Sequence, residues 1–454
     1  MTDPATRTRC FKAYDIRGRV PDELDEDLAY DIGRAYGTFV RPEGPVAVGY
    51  DVRLSSPALA DALKRGLHTV GANTLDIGLC GTEVVYFAAA QSGIGGGIMI
   101  TASHNPMDHN GMKFVRENAI PISGDSGLRE IQAIVEQGGF ATGATDGSDR
   151  PQDFTEAYLQ QVLSLVDISS LDALKIVTNA GNGCAGPYLD LLAQMLPLEL
   201  IFVDHEPDGH FPHGVPNPLL PERRVRTIEA MQEHQATLGV AWDGDFDRCF
   251  FFDEHAAFVE GYYLVGLLAR RMLEGHPGER IIHDPRVVWN TIEMVEAAGG
   301  IPVQSKTGHA FIKERMRAEN ALYGGEMSAH HYFRDFYYCD SGMIPWLLVA
   351  EIISRTGKPL GELVAERAAL HPCSGEINRQ VQDQQAAISR VRAHYEPQEP
   401  DIDETDGLSM TFGDSWRFNL RTSNTEPVIR LNVEARGDAE LVREKTEEVL
   451  QLIS

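Results

Sequence analysis

Three acidic side chains at alternate positions, Asp243, Asp245 and Asp247, stand in the stretch DGDFDR. In an extended loop, carboxylates so spaced can converge on one hard divalent cation, which takes oxygen ligands. The same pattern opens a helix–loop–helix calcium site, and Glu254 falls at its twelfth position. That loop needs glycine at the sixth position, where this chain has Arg248, and Cys249–Phe252 then continues as an apolar strand. We therefore read a Mg2+ site with room for a phosphoryl oxygen, against the alternative of a solvated acidic turn. Arg248 follows directly and can hold the same phosphoryl group.

A second chemical stretch is GGGIMITASHNPMDHNGMKF (95–114), where the apolar run Ile98–Ile100 ends at Ser103 and His104, ahead of Asn105-Pro106. No G-x-S-x-G elbow surrounds Ser103 and no Asp–His–Ser order is evident, so an acyl-transfer triad fits poorly. A serine that carries phosphate needs a metal, cations and a nearby acid or base. Lys113 in NGMKF and Arg17 in AYDIRG are cations that could return to it. The stretch RTSNTEP (421–427) offers Arg421, Ser423, Asn424 and Thr425, with Arg430 beyond. Hydroxyls, an amide, loop N–H groups and guanidinium suit a phosphate monoester; a hairpin turn of small polar residues is the competing reading. In GEMSAHH, Glu326 and Ser328 are two apart and share a side, as needed to read adjacent sugar hydroxyls; a helix N-cap at Ser328 explains the serine equally well. His330 and His331 are adjacent, so on a strand they face opposite ways and make a poor metal pair.

Positioning these loops requires ordered elements, and the chain has room for them: 454 residues correspond to about two to four domains. A hydrophobic share of 43% is that of an ordinary globular chain, and a net charge of −27 argues against a nucleic-acid surface. Six scattered cysteines with no CxxC pair point to a reduced, cytoplasmic setting. The N-terminus has no apolar signal core, and the longest apolar stretch, near Met343–Ile353, is too short to span a bilayer.

Three segments share one rhythm. Each has an apolar run ending in a polar turn, namely VAVGYD (46–51), LKIVTNAGNG (174–183) and RIIHDPR (280–286). A helical stretch follows: Pro57–Val70, Gly186–Met195 and Trp289–Ala298. A second run then leads to a third, which delivers TASHNP, DGDFDR or GEMSAHH. Strands alternating with helices predict α/β units whose ligands lie beyond the carboxyl ends of the strands. The expected architecture is three tandem α/β domains with mixed, largely parallel sheets plus a small α+β C-terminal domain, around one central cleft. Their spans would be 1–150, 151–253, 254–368 and 369–454, with 138–153 as a linker and 253–258 as a hairpin. The tail reads as antiparallel strands LSMTF, WRFNL and VIRLNVEA followed by a helix from Ala439.

The loops, in this order along nearly the whole chain, resemble the α-D-phosphohexomutase family: FKAYDIRG, TASHNPMDHNGMK, DGDFDR, SKTGHAFIKERM, GEMSAHHYF and RTSNTEP. The resemblance implies that Ser103 is phosphorylated in the resting enzyme and binds Mg2+ with Asp243, Asp245 and Asp247. It implies sugar contacts from Glu326, Ser328, Gly308, His309 and His330, and a grip on the distal phosphate from Arg421, Ser423, Asn424, Thr425 and Arg430. Lys113 is the candidate general base or acid, with Arg17 and His104 beside it; Tyr14, Arg248 and Arg286 match further cleft positions. Two residues depart from the family pattern, Phe246 within the metal loop and Ala329 in GEMSAHH; both leave the flanking ligands in place. The implied reaction interconverts mannose 6-phosphate and mannose 1-phosphate, and the glucose pair, through a hexose 1,6-bisphosphate that is both intermediate and activator. A relative acting mainly on glucose or glucosamine phosphates is the alternative. The implied partners are small hexose phosphates, with no nucleic acid and no membrane.

Overall fold

Proline in the first turn starts two of the expected helices, because its missing N–H would have no helical partner there. These helices are Ser56–Thr69 and Gly186–Met195; the third is Trp289–Ala297. The computed structural model describes residues 7–143, 145–422 and 428–454. The chain forms two compact units, Met1–Ala256 with Tyr332–Arg355, and Ala257–His331 with Thr356–Ser454.

The first unit carries a six-stranded sheet in the order Ile16–Arg19, His109–Arg116, Gly96–Ile100, Val46–Tyr50, Thr74–Leu79, Asp149–Pro151. Val46–Tyr50 runs parallel to Thr74–Leu79 and Gly96–Ile100, whereas His109–Arg116 turns back antiparallel on Gly96–Ile100. This return sets Lys113 opposite Met99, while the antiparallel strand Ile16–Arg19 sets Arg17 opposite Gly111. The second sheet repeats the device. Lys175–Asn179 lies parallel to Glu199–Val203 and to Leu238–Trp242, and Cys249–Phe252 then turns back with Cys249 opposite Trp242. Both TASHNP and DGDFDR are therefore loops where a parallel strand reverses into an antiparallel one.

In the second unit, Arg280–His283 lies parallel to Ile301–Gln304 and to Tyr323–Gly325. The tail forms an antiparallel sheet through Leu408–Phe412, Trp416–Thr422 and Val428–Ala435, followed by the helix Ala439–Ile453. Leu420, Leu431 and Phe418 are buried beneath that helix with Val449 and Ile453. The fold is thus α/β with mixed sheets and an antiparallel C-terminal sheet.

One local feature differs from the expectation, and one adds to it. The stretch 138–153 reads as a linker, yet Asp149–Pro151 is an edge strand parallel to Thr74–Leu79. Three residues are too few to show a period; ion pairing holds them, with Lys64 Nζ 2.9 Å from Asp149 Oδ2 and Thr74 Oγ1 donating to Asp149 Oδ1 at 2.6 Å. Residues 332–355, within the span expected for the third domain, make their packing contacts with the first unit. The reason is hydrogen bonding: Trp242 Nε1 donates to Gly342 O at 2.9 Å. The buried carboxyl of Glu83 accepts from Ser341 Oγ and from the N–H groups of Gly342 and Met343 at 3.0 and 3.2 Å. Glu83 thereby caps the helix Met343–Thr356 from another part of the chain.

Burial raises the Glu83 carboxyl from an ordinary 4.5 to about 8, against the lowering effect of the donors from Ser341, Gly342 and Met343. A folded value above the unfolded one means that this contribution to stability is full below 4.5 and is lost as pH rises through about 8. We predict that the stability of the wild type relative to Glu83→Gln falls between pH 5 and 9, by at most about 1.4 kcal/mol per pH unit. Urea unfolding at several pH values measures it; parallel curves would contradict the assignment.

Candidate active site

In the first unit, the two reversing loops touch. Ser103 Oγ donates to Asp243 Oδ2 at 2.6 Å. The approach requires Gly244, because a Cβ there would lie 2.7 Å from Ser103 O. Ser103 itself is left-handed, with φ 47°, a conformation that costs a non-glycine residue about 1–2 kcal/mol. Surrounding hydrogen bonds hold it there. Ser103 N donates to Thr101 Oγ1 at 2.9 Å, and Thr101 Oγ1 donates to Asp51 Oδ2 at 2.8 Å. Arg53, only 1% exposed, donates to four carbonyls of this loop: Ser103 at 2.9 Å, Asn105 at 2.6 Å, Pro106 at 2.7 Å and His109 at 2.9 Å. The sequence reading missed Asp51 and Arg53. Their one signal is an Asp-x-Arg directly after the strand Val46–Tyr50, which by itself reads as a polar turn.

Asp243, Asp245 and Asp247 are buried, and each offers an oxygen within 4.8 Å of the others. Cations answer them. Arg248 Nη2 lies 2.7 Å from Asp243 Oδ2, Lys113 Nζ lies 2.7 Å from Asp245 Oδ2, and Lys113 also pairs with Asp247. Thr82 Oγ1 donates to Asp245 Oδ2 at 2.5 Å, a contact no sequence motif announced. Burial alone would raise the Asp245 carboxyl, but the charges of Lys113 and Arg17 outweigh it and hold the group well below the usual carboxylate range. Lys113 mirrors this: burial lowers its ammonium, and Asp245 and Asp247 more than restore it, so it sits above its ordinary value. Lys113 is thus pushed toward its ammonium form, whereas a general base would need it neutral.

Arg17 is fixed by Asp15 Oδ2 at 2.8 Å and donates to Thr101 O at 3.2 Å. His104 is an exposed residue whose Nδ1 lies 3.2 Å from Ser103 Oγ and 2.6 Å from Arg248 Nη2. Desolvation, and then the charge of Arg248, push the imidazole well below its ordinary value. Tyr14 is half-buried in the bend before Ile16–Arg19. Phe246, left-handed at φ 45°, is buried 5.1 Å from the Tyr188 ring and packs on Gly81, where a Cβ would meet its ring at 2.2 Å. It anchors the loop by packing and leaves the aspartates free to converge.

The donor set fits a hard divalent cation. It is all oxygen and anionic, and Asp245 Oδ1 is buried with no hydrogen-bond partner among the described residues. A fourth oxygen, Ser103 Oγ, already touches the set through Asp243.

The second unit gathers the remaining candidates into one charged constellation. Arg286 takes Asp284 through its N–H at 2.8 Å and its Nε at 3.1 Å, and its Nη2 lies 3.8 Å from Glu326 and 3.5 Å from Ser328 Oγ. Gly308, at φ 125°, donates its N–H to Glu326 Oε1 at 2.7 Å and begins the helix His309–Glu319. His330 Nδ1 is 3.3 Å from Glu326 Oε2, and the rings of His309 and His330 lie 6.3 Å apart. Ser328 lies in a turn and not at a helix start. His331 is buried on the strand His331–Phe333, with Nδ1 2.6 Å from Tyr323 Oη, apart from the Glu326 group that His330 joins. Arg421 and Arg430 face each other across paired strands and both approach Glu376, at 3.8 and 3.5 Å. Ser423, Asn424 and Thr425 lie outside the described residues.

Four family models match the chain in order. They are phosphoglucomutase/phosphomannomutase α/β/α domain I over residues 8–142, domain II over 156–257, domain III over 260–370 and the C-terminal domain over 376–452. The chain is 59% identical to a Xanthomonas campestris pv. campestris protein described as "Phosphohexose mutases", over the whole of both chains. It is 58% identical to a phosphomannomutase of Salmonella montevideo, covering 98% of this chain and 99% of the other. A solved phosphoglucomutase/phosphomannomutase family protein of Burkholderia thailandensis superposes with a TM-score of 0.86 at 32% identity, covering 98% and 97% of the two chains.

The Arg53 clamp is directly testable. Arg53→Met removes the partner of buried Asp51 and four carbonyl bonds, and we expect a loss of about 3–5 kcal/mol in urea unfolding. Arg53→Lys keeps the charge but not the fork, so it should recover only part of that loss. Full stability in Arg53→Lys would show that charge alone suffices.

Proposed function

Because the chain belongs to the phosphoglucomutase/phosphomannomutase family, we propose that it is a phosphomannomutase, interconverting mannose 6-phosphate and mannose 1-phosphate and accepting the glucose pair as well. The observation that carries the reading is the contact of Ser103 Oγ with Asp243 Oδ2 at 2.6 Å. It sets a nucleophilic oxygen against a carboxylate cluster that also fits a hard cation.

In this reading Ser103 carries a phosphoryl group in the resting enzyme. The group passes to the free hydroxyl of a hexose phosphate, O1 of the 6-phosphate or O6 of the 1-phosphate. The P–O bond to serine breaks, one to the sugar forms, the sugar hydroxyl loses its proton and the serine oxygen gains one. The resulting 1,6-bisphosphate turns end for end and returns its other phosphoryl group to Ser103. Lys113, held as an ammonium, suits protonation of the departing serine oxygen. Arg17, Lys113 and Arg248 offset charge as the phosphoryl group moves. Asp243, Asp245, Asp247 and the phosphorylated Ser103 would hold Mg2+, which supplies electrophilic stabilisation of phosphoryl oxygens.

The second unit supports the reading with groups suited to the rest of the ligand. Glu326, Ser328, Gly308, His309 and His330 read sugar hydroxyls, and Arg421, Arg430 and Arg286 take the phosphate that is not reacting. Ser423, Asn424 and Thr425 complete this proposed grip. The six cysteines are all free, which supports a reducing, cytoplasmic setting.

Purified protein should carry a phosphoryl group on Ser103 by intact mass and peptide mapping, and Ser103→Ala should lose it together with at least about 10³-fold in kcat. Normal turnover in Ser103→Ala would end the phosphoserine mechanism. Comparing kcat/KM on mannose, glucose and glucosamine 1-phosphates tests the substrate, and a clear glucosamine preference would overturn the choice of sugar. Chelation with EDTA should abolish turnover and Mg2+ restore it, whereas Asp245→Asn should bind Mg2+ weakly at any concentration tried by calorimetry.

A further inference from the structure

Glu376 lies just past the sequence break at 371–375, in no motif, yet it sits among three arginines. Arg286 Nη1 donates to Glu376 Oε2 at 2.6 Å, Arg430 Nη1 lies 3.5 Å from Oε1, and Arg421 Nη2 lies 3.8 Å from Oε2. These cations come from separate places in the chain: the HDPR turn after Arg280–His283 and the two paired strands Trp416–Thr422 and Val428–Ala435. Burial would raise the Glu376 carboxyl, and Arg286, Arg430 and Arg421 together hold it below its ordinary value. It is therefore an anion.

Arg421 and Arg430 share Glu376, and Arg421 has a further donor to offer. Arg421 is 4% exposed, and its Nε is buried with no hydrogen-bond partner among the described residues. A buried guanidinium N–H left without an acceptor costs about 1–3 kcal/mol, so the site favours a ligand that supplies one. Arg286 has its own carboxylates in Asp284 and Glu326, whereas Glu376 is the carboxylate common to all three arginines.

We propose that Glu376 is an internal counter-ion that shares these arginines with the substrate's non-reacting phosphate and so limits how tightly they grip it. This rests on the reading of Arg421 and Arg430 as the phosphate grip. The chemistry of the reaction gives the role a use: a bisphosphate intermediate must be held through one transfer and then let go to turn. Without Glu376, Arg421 and Arg430 would lose the carboxylate they share and hold a phosphate dianion longer. Glu376 touches no reacting atom; it is a positioning residue that acts through the arginines.

The test uses the full-length enzyme and inorganic phosphate as the probe. Glu376→Gln keeps the shape and a hydrogen-bond acceptor but removes the charge. Removing one unit charge from the arginine cluster, in partly screened surroundings, makes phosphate inhibition roughly tenfold tighter in that variant. KM for mannose 1-phosphate should fall with it, while kcat stays level or drops because release slows. Glu376→Asp, which keeps the charge, should behave within about threefold of wild type on the same scale. Phosphate inhibition that is unchanged or weaker in folded Glu376→Gln overturns the inference.

Glu376→Ala, followed by thermal unfolding in a phosphate titration, covers the case in which Glu376→Gln folds poorly. It should reach half-maximal stabilisation at lower phosphate than wild type. If neither variant folds even in saturating phosphate, Glu376 is a structural anchor and the inference falls. Arg421→Ala separates the premise from the inference. If phosphate inhibition and KM survive it unchanged, the phosphate-grip reading fails first; if they weaken while Glu376→Gln has no effect, only the counter-ion role fails.

Discussion

Three carboxylates buried within 4.8 Å of one another are the constraint on which the first unit is built. Such a cluster would pick up protons unless cations accompanied it into the interior. Lys113, Arg17 and Arg248 are those cations, and each reaches the cluster from a different element. The antiparallel return of His109–Arg116 brings Lys113, the strand Ile16–Arg19 brings Arg17, and Arg248 ends the acidic loop itself. Three charges of each sign balance. A phosphorylated serine adds close to two negative charges and a divalent cation adds two positive ones, so loading the site with both changes its net charge little.

The same constraint accounts for much of the backbone irregularity. Bringing Ser103 against Asp243 places two loops in contact, and that contact admits no side chain at position 244. Ser103 and Phe246 take left-handed conformations on either side of it. Arg53 and Asp51 beneath one loop, and Gly81 and Tyr188 around the Phe246 ring, hold those conformations in place. A protein with an acidic exterior can still concentrate phosphate locally in this way, because its cations are gathered where the loops require them.

Reactive side chains were legible in the sequence because their chemistry leaves a local trace: alternate aspartates, a serine at a strand end, arginines flanking a polar loop. The helix Gly186–Met195, the strand Val428–Ala435 and the helix from Ala439 were equally plain, since apolar period and terminal proline or aspartate mark them. What the sequence hid was long-range. Arg53 is a clamp only once four carbonyls of a distant loop curl around it. Glu376 is among arginines only once three separate segments fold together. Asp149–Pro151 is a strand because Lys64 and Thr74 hold it, not because its own three residues prefer to be one. The raised ammonium of Lys113 depends on neighbours more than 130 positions away.

The placement of residues 332–355 has a bearing on how the chain is made. Glu83 and Trp242 find their hydrogen-bond partners at 341–343, well after the first unit's main run ends at Ala256. A ribosome adds about 5–20 residues per second, so Trp242 waits about 5–20 seconds and Glu83 about 13–52 seconds for the segment that satisfies them. During that interval the newly made half carries a carboxyl short of its donors at 341–343 and an unanswered indole N–H, and it is complete only when a much later stretch emerges and is threaded back. Nascent chains paused between those points would be the natural clients of a chaperone, and a fragment cut at the end of the second sheet would inherit the same deficit permanently.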